Sequence, residues 1–188
     1  MSLVARWRRV WGAESERDHV SRGLEEAAVR IREVSVPKAM RAAWARRAEG
    51  IAQAKVALAR STGSPDCCRG CERNVSGAAA APFRGGVCCG GTTSDLFSDS
   101  ELVLLSLAGK SPARAPALTL QRGCAYRSVG GCVLAPDTRP VLCLEYACSE
   151  LRAELASKGT LLGVVERAEA LRVEADALVA EVAAASEA

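Results

Sequence analysis

Nine cysteines between Cys67 and Cys148 constrain this 188-residue chain more than any other feature. They stand as Cys67-Cys68-x2-Cys71, then Cys88-Cys89, then Cys124, Cys132, Cys143 and Cys148. Cys71 with Cys68 or Cys67 can bring two thiolates to one metal, a close pairing common in tetrahedral zinc and iron–sulfur sites. Gly85, Gly86, Gly90 and Gly91 surround the adjacent pair and permit the turns that aim both thiols inward. Cys143-x4-Cys148 ends where a helix is expected to begin, and the free N–H groups of a helix start stabilise a thiolate. All nine are therefore candidate ligands. The odd count suits eight ligands plus one spare, at Cys67 or Cys68. Zinc and iron–sulfur clusters both accept four thiolates, so ligand type leaves the cofactor open between them.

Composition supports metal over other uses of these thiols. The N-terminus, MSLVARWRRVWGAESE, is basic, but the apolar run of a secretory signal does not follow it. No apolar stretch approaches a membrane span. The expectation is a cytoplasmic chain, where thiols stay reduced and disulfides are rare. Alanine buries little area, and aromatics make up only 4% of the chain, so the middle section needs a further source of stability that metal ligation can supply. His19 is the only histidine and lies outside the cysteine zone, as an ordinary surface residue. Histidine-ligated zinc and a histidine general base in the middle therefore lose support. No HExxH, GxSxG or phosphate-loop lysine motif is present.

Three zones follow one another. In 1–64, Val20, Leu24, Ala27, Ala28 and Ile31 recur at helical spacing. Ser35-Val36-Pro37 interrupts them, with Ser35 placed to cap a second helix and Pro37 in its first turn. Met40, Trp44, Ala48, Ile51, Lys55 and Leu58 share one face of that helix, where Lys55 can lay its stem along apolar surface. Thr62-Gly63-Ser64-Pro65 ends it, and a helical hairpin is the simplest arrangement. In 65–148 helical periodicity mostly vanishes. The exception is LVLLSLAG, with Ser98 and Glu101 forming a capping box and Gly109 a stop. Short strands or turns are expected around Cys124–Cys132 and through Val141–Tyr146. In 149–188, Ser149 can cap a helix, Gly159 breaks it, and Leu161, Val164, Ala168, Leu171, Ala175, Leu178 and Val182 form a coiled-coil-like seam. The expected fold is mainly α: a small irregular cysteine-rich metal-binding core between helical N- and C-terminal arms.

The formal charge of +3 is uneven, with a basic first arm and an acidic last arm. The arms can pair within the chain, meet a protein partner or self-associate through the seam. Nucleic acid is disfavoured: Arg6, Arg8, Arg9, Arg41, Arg46 and Arg47 alone argue for it, stacking aromatics are scarce in the middle, and no zinc-finger spacing is present.

Four stretches resemble a known family: GVCCGG at 86–91, DSELVLLSLAG at 99–109, GCAYRSVGGCVL at 123–134 and RPVLCLEYAC at 139–148. Together they resemble the YkgJ-type cysteine-cluster proteins, described as zinc- or iron-chelating domains, over roughly residues 67–148. The resemblance implies metal binding rather than a reaction. The chain departs from the family pattern in the long segment ERNVSGAAAAPFRGGV between Cys71 and Cys88. Arg139 and Pro140 gain roles within the last stretch. Proline fixes the chain direction ahead of Cys143. Arginine can hydrogen-bond backbone carbonyls or offset thiolate charge. Tyr126 and Tyr146 are expected to pack around the site. The function this implies is an iron–sulfur or zinc protein that transfers electrons or carries metal; the other reading is a zinc-stabilised interaction module.

Overall fold

Apolar residues at three- and four-residue spacing in the two arms fold as long helices that pack on each other. The computed structural model describes residues 19–63, 96–113, 126–128, 131–145 and 149–187 of the chain. Its order is α1 (19–33), α2 (Lys38–Thr62), α3 (Asp99–Leu107), β1 (Arg127–Ser128), β2 (Gly131–Cys132), a 3-10 turn (Pro136–Thr138), α4 (Val141–Glu145), α5 (Ser149–Ser157) and α6 (Leu161–Ser186). The fold is mainly helical. β1 and β2 form a two-stranded antiparallel hairpin with Arg127 opposite Cys132.

The seam of α6 is spent inside the chain. Val164, Ala168, Leu171, Ala175, Leu178 and Val182 are buried in one cluster with Trp44, Ala48, Ile51 and Leu58 of α2. Burial of such faces, rather than intrinsic propensity, supplies most helical stability in proteins. Polar contacts set the register and show the two helices to be antiparallel. The Trp44 indole donates to Glu181 at 2.7 Å, and Arg47 pairs with Glu174 at 2.8 Å and also with Glu181. The Trp44 N–H, and next the Arg47 guanidinium, hold the Glu181 carboxyl below its ordinary value.

A second cluster joins α1 to the middle of the chain. Val20 and Ala27 are buried with Phe97, Leu102, Leu105, Tyr126 and Leu134. Gly23 makes this possible, since a Cβ there would lie 2.4 Å from Leu102 Cδ1. Each cluster thus draws on more than one of the sequence zones.

Helix ends follow the punctuation in part. Ser98 caps α3 by accepting from the Glu101 N–H at 3.3 Å. Gly109, at φ +63°, closes it, with Lys110 N donating back to Leu105 O at 2.9 Å. Gly159, at φ +68°, separates α5 from α6 as expected. Ser35 does not cap α2; the N-cap position is Pro37, with no side-chain cap, and Arg41 instead reaches back to the Val34 carbonyl at 2.7 Å. Met40 is 40% exposed and leaves the buried face at its first position. The described part of the next stretch, Val141–Glu145, is helical rather than strand or turn. Pro140 sets its φ in advance, and a carboxylate from α3 meets its first amide. Ser149 is described within α5, and the residues that precede it lie outside the described ones.

Two glycines test this packing in opposite directions. Gly23→Ala gains about 1 kcal/mol of helix propensity but overpacks Leu102, at about 1–3 kcal/mol. Urea unfolding should therefore show a net loss of about 1 kcal/mol. Gly50 lies inside α2 with nothing within 4 Å of a Cβ, so Gly50→Ala should gain roughly 0.5–1 kcal/mol. Glu181 supplies a pH test. A folded pKa below the unfolded one gives stability that is present above the unfolded value and lost as pH falls through the folded value. NMR titration should place Glu181 below ordinary glutamates, and Trp44→Phe should bring it back up.

Candidate metal centre

Cys132 and Cys143 are the two candidate ligands within the described residues, and both side chains are exposed. Cys132 ends β2. The hairpin behind it is closed by Val133 N donating to Tyr126 O at 2.8 Å. Tyr126 is buried and meets Phe97 edge to face, with ring centroids 5.5 Å apart. Tyr126 thus has a packing role in the second cluster. Leu134, also buried, anchors the next residue pair.

From Leu134 the chain turns sharply toward α4. Thr138 N and Arg139 N both donate to Ala135 O, at 3.0 and 3.1 Å. The Arg139 side chain curls back, and its Nε donates to Leu134 O at 2.9 Å. Arginine therefore braces a backbone carbonyl, the first of the roles its sequence position suggested. Lys110 straps this turn to α2 through Asp137 at 3.2 Å and Glu49 at 3.3 Å. Pro140 is fully buried, which fixes where the turn enters α4.

α4 carries Cys143 in its first turn, and Cys143 N donates to Pro140 O at 3.0 Å. Val141 and Leu144 pack into the α2–α6 cluster. Glu145 pairs with Arg172 of α6 at 3.1 Å. Burial pushes the Glu145 carboxyl above its ordinary range, with Arg172 opposing. The remaining anchor is Glu101. Its Oε2 meets Lys55 Nζ at 2.9 Å, with the two side chains 9% and 2% exposed, and its Oε1 accepts the N–H of Val141.

The Lys55–Glu101 pair escapes sequence reasoning. Lys55 is not a stem laid along the surface with its head in water; the whole residue is buried. Glu101, placed by its spacing in a capping box, receives the Ser98 cap on its own N–H but turns its side chain to α2 and α4. The one available signal was a lysine on an apolar face together with an acid, Glu101, directly before the run LVLLSL.

Cys67, Cys68, Cys71, Cys88, Cys89, Cys124 and Cys148, with Tyr146, lie outside the described residues. Among the described residues no group of three or more His, Cys, Asp or Glu side chains is arranged to hold a metal ion. No described helix is long and apolar enough to cross a membrane. His19 is exposed, with Nε2 3.3 Å from Phe97 O. Comparison of the chain with protein-family models, curated proteins and solved structures found no match.

One substitution tests the buried pair. Lys55→Met leaves the Glu101 carboxylate buried without its partner, a change that costs about 3–5 kcal/mol. Chemical denaturation should show a loss in that range, well above the usual cost of a surface substitution.

Proposed function

We propose that this chain is a cytoplasmic metal-binding protein. Its cysteine zone forms a thiolate centre for zinc or an iron–sulfur cluster, and Cys132 and Cys143 are two of the ligands. The observation that carries the reading is the frame beneath those two thiols. A closed hairpin, an arginine-braced 3-10 turn and a capped helix start fix the backbone at both residues while leaving both thiols exposed. Structural cysteine usually sits buried as a small hydrophobe. Exposed cysteines on a braced backbone fit ligands better, since a metal site needs its first donors held in place by surrounding hydrogen bonds.

The spacing of the other seven cysteines supports the same reading, as does the likeness of 67–148 to the cysteine-cluster family. That likeness rests on the four quoted stretches alone. The residues in hand would hold the metal through sulfur, and thiolate donors suit zinc and iron–sulfur clusters over magnesium or calcium. A redox centre would serve electron transfer or metal carriage. A zinc centre would act by stapling the cysteine zone to the helical frame.

Metal analysis with an absorption spectrum, on protein purified without oxygen, separates these outcomes. The expected result is stoichiometric metal that falls sharply in Cys143→Ser and in Cys132→Ser. Iron with acid-labile sulfide and broad visible absorption assigns the redox role. Colourless protein with zinc assigns the stapling role. Folded protein with neither metal, and with all thiols reactive, would overturn the proposal.

A further inference from the structure

We propose that Glu101 is a positioning residue for the metal centre: anchored by Lys55, it fixes the first turn of α4 and so the direction of the Cys143 thiolate. The inference deepens the metal-binding reading above and rests on it.

The geometry is that of one carboxylate shared between two elements. Oε2 is held by Lys55 Nζ from α2, and Oε1 accepts from Val141 N, the first amide of α4, 40 residues further along the chain. α4 opens at Val141 and is described as far as Glu145. The first amides of a helix have no partner within it. The residue ahead of it is Pro140, which offers no side-chain acceptor, so the local sequence cannot cap this turn as Ser98 caps α3. Glu101 supplies the missing acceptor from a distance. Cys143 lies two residues beyond that amide, so a rotation of the turn swings its thiol away from where a metal would wait.

The lysine has a separate task. It meets the other oxygen of the carboxylate and so holds its direction, both residues being buried. A buried ion pair replaced by apolar residues of similar volume often leaves stability unchanged or raised. Stability and positioning can therefore be separated by substitution.

Two double variants of the full chain make the test, with Co2+ as the probe. K55M/E101L replaces the pair by apolar groups and removes the acceptor for Val141 N–H. K55M/E101Q also removes both charges but keeps an amide oxygen in the acceptor position. The inference expects both to unfold within a few degrees of the wild type. K55M/E101Q should bind Co2+ as the wild type does, and K55M/E101L should bind about 10–100-fold more weakly, the usual effect of losing a residue that orients a ligand. Its thiolate-to-Co2+ absorption band should change as well. A folded K55M/E101L that binds Co2+ like the wild type would overturn the inference and leave the metal reading standing. A wild type that binds no Co2+ would sink the metal reading itself, and the inference with it. A measurement on the wild type alone covers a variant that does not fold. Coupling between cap and ligand is reciprocal, so Zn2+ loading should slow hydrogen exchange at the Val141 amide at least about 10-fold. Unchanged exchange in metal-loaded protein counts against the inference.

Discussion

A lysine ammonium taken fully out of water is the constraint around which the rest of the structure is arranged. Lys55 lies on the apolar face of α2, one turn from Ile51 and Leu58, and is 2% exposed. Burying a charge of this size costs several kcal/mol unless a partner meets it. Glu101 is that partner, which requires α3 to lie against α2 at this point. The second oxygen of the same carboxylate then needs its own donor, and Val141 N provides it. One buried charge thus ties together α2, α3 and the start of α4, elements far apart in sequence. Weaker, more exposed pairs repeat the pattern around it, with Lys110 joining α2 to the 3-10 turn and Arg172 joining α6 to α4.

The helical arms and the middle of the chain are consequently not independent pieces. α2 and α6 make an antiparallel pair with a continuous apolar seam, and the side of that pair receives Val141 and Leu144 of α4. α1 turns to the second cluster, where it covers Phe97, Leu102 and Tyr126. The hairpin and α4, which carry Cys132 and Cys143, therefore rest on two cores at once. A partner approaching these thiols meets Leu142, 62% exposed, beside one of them. A second copy cannot use the α6 seam without displacing α2.

Much of this was legible in the sequence, for reasons particular to each element. The α6 seam reads cleanly because its apolar positions alternate by threes and fours without a polar interruption. The ends of α2, α3 and α5 read cleanly because glycine stops are local chemistry. Ser35 misled because a capping residue is recognised by type, whereas the position in the turn was taken by Pro37. Val141–Glu145 misled because its helix depends on a cap supplied from outside the segment, which no local pattern encodes. Lys55 misled because its sequence neighbours cannot reveal whether an amphipathic side chain ends in water or on a distant carboxylate. All nine cysteines are candidate ligands by spacing alone, and the described structure bears only on Cys132 and Cys143, both exposed on a hydrogen-bonded backbone.

X-ray absorption spectroscopy on the metal-loaded chain is the most direct measurement of the central claim, that thiolates of the cysteine zone, Cys143 among them, hold a metal. The account predicts a first coordination shell made of sulfur, at about 2.3 Å if the metal is zinc, with one sulfur fewer or a light-atom replacement in Cys143→Ser. A shell of oxygen and nitrogen, unchanged by that substitution, would contradict it.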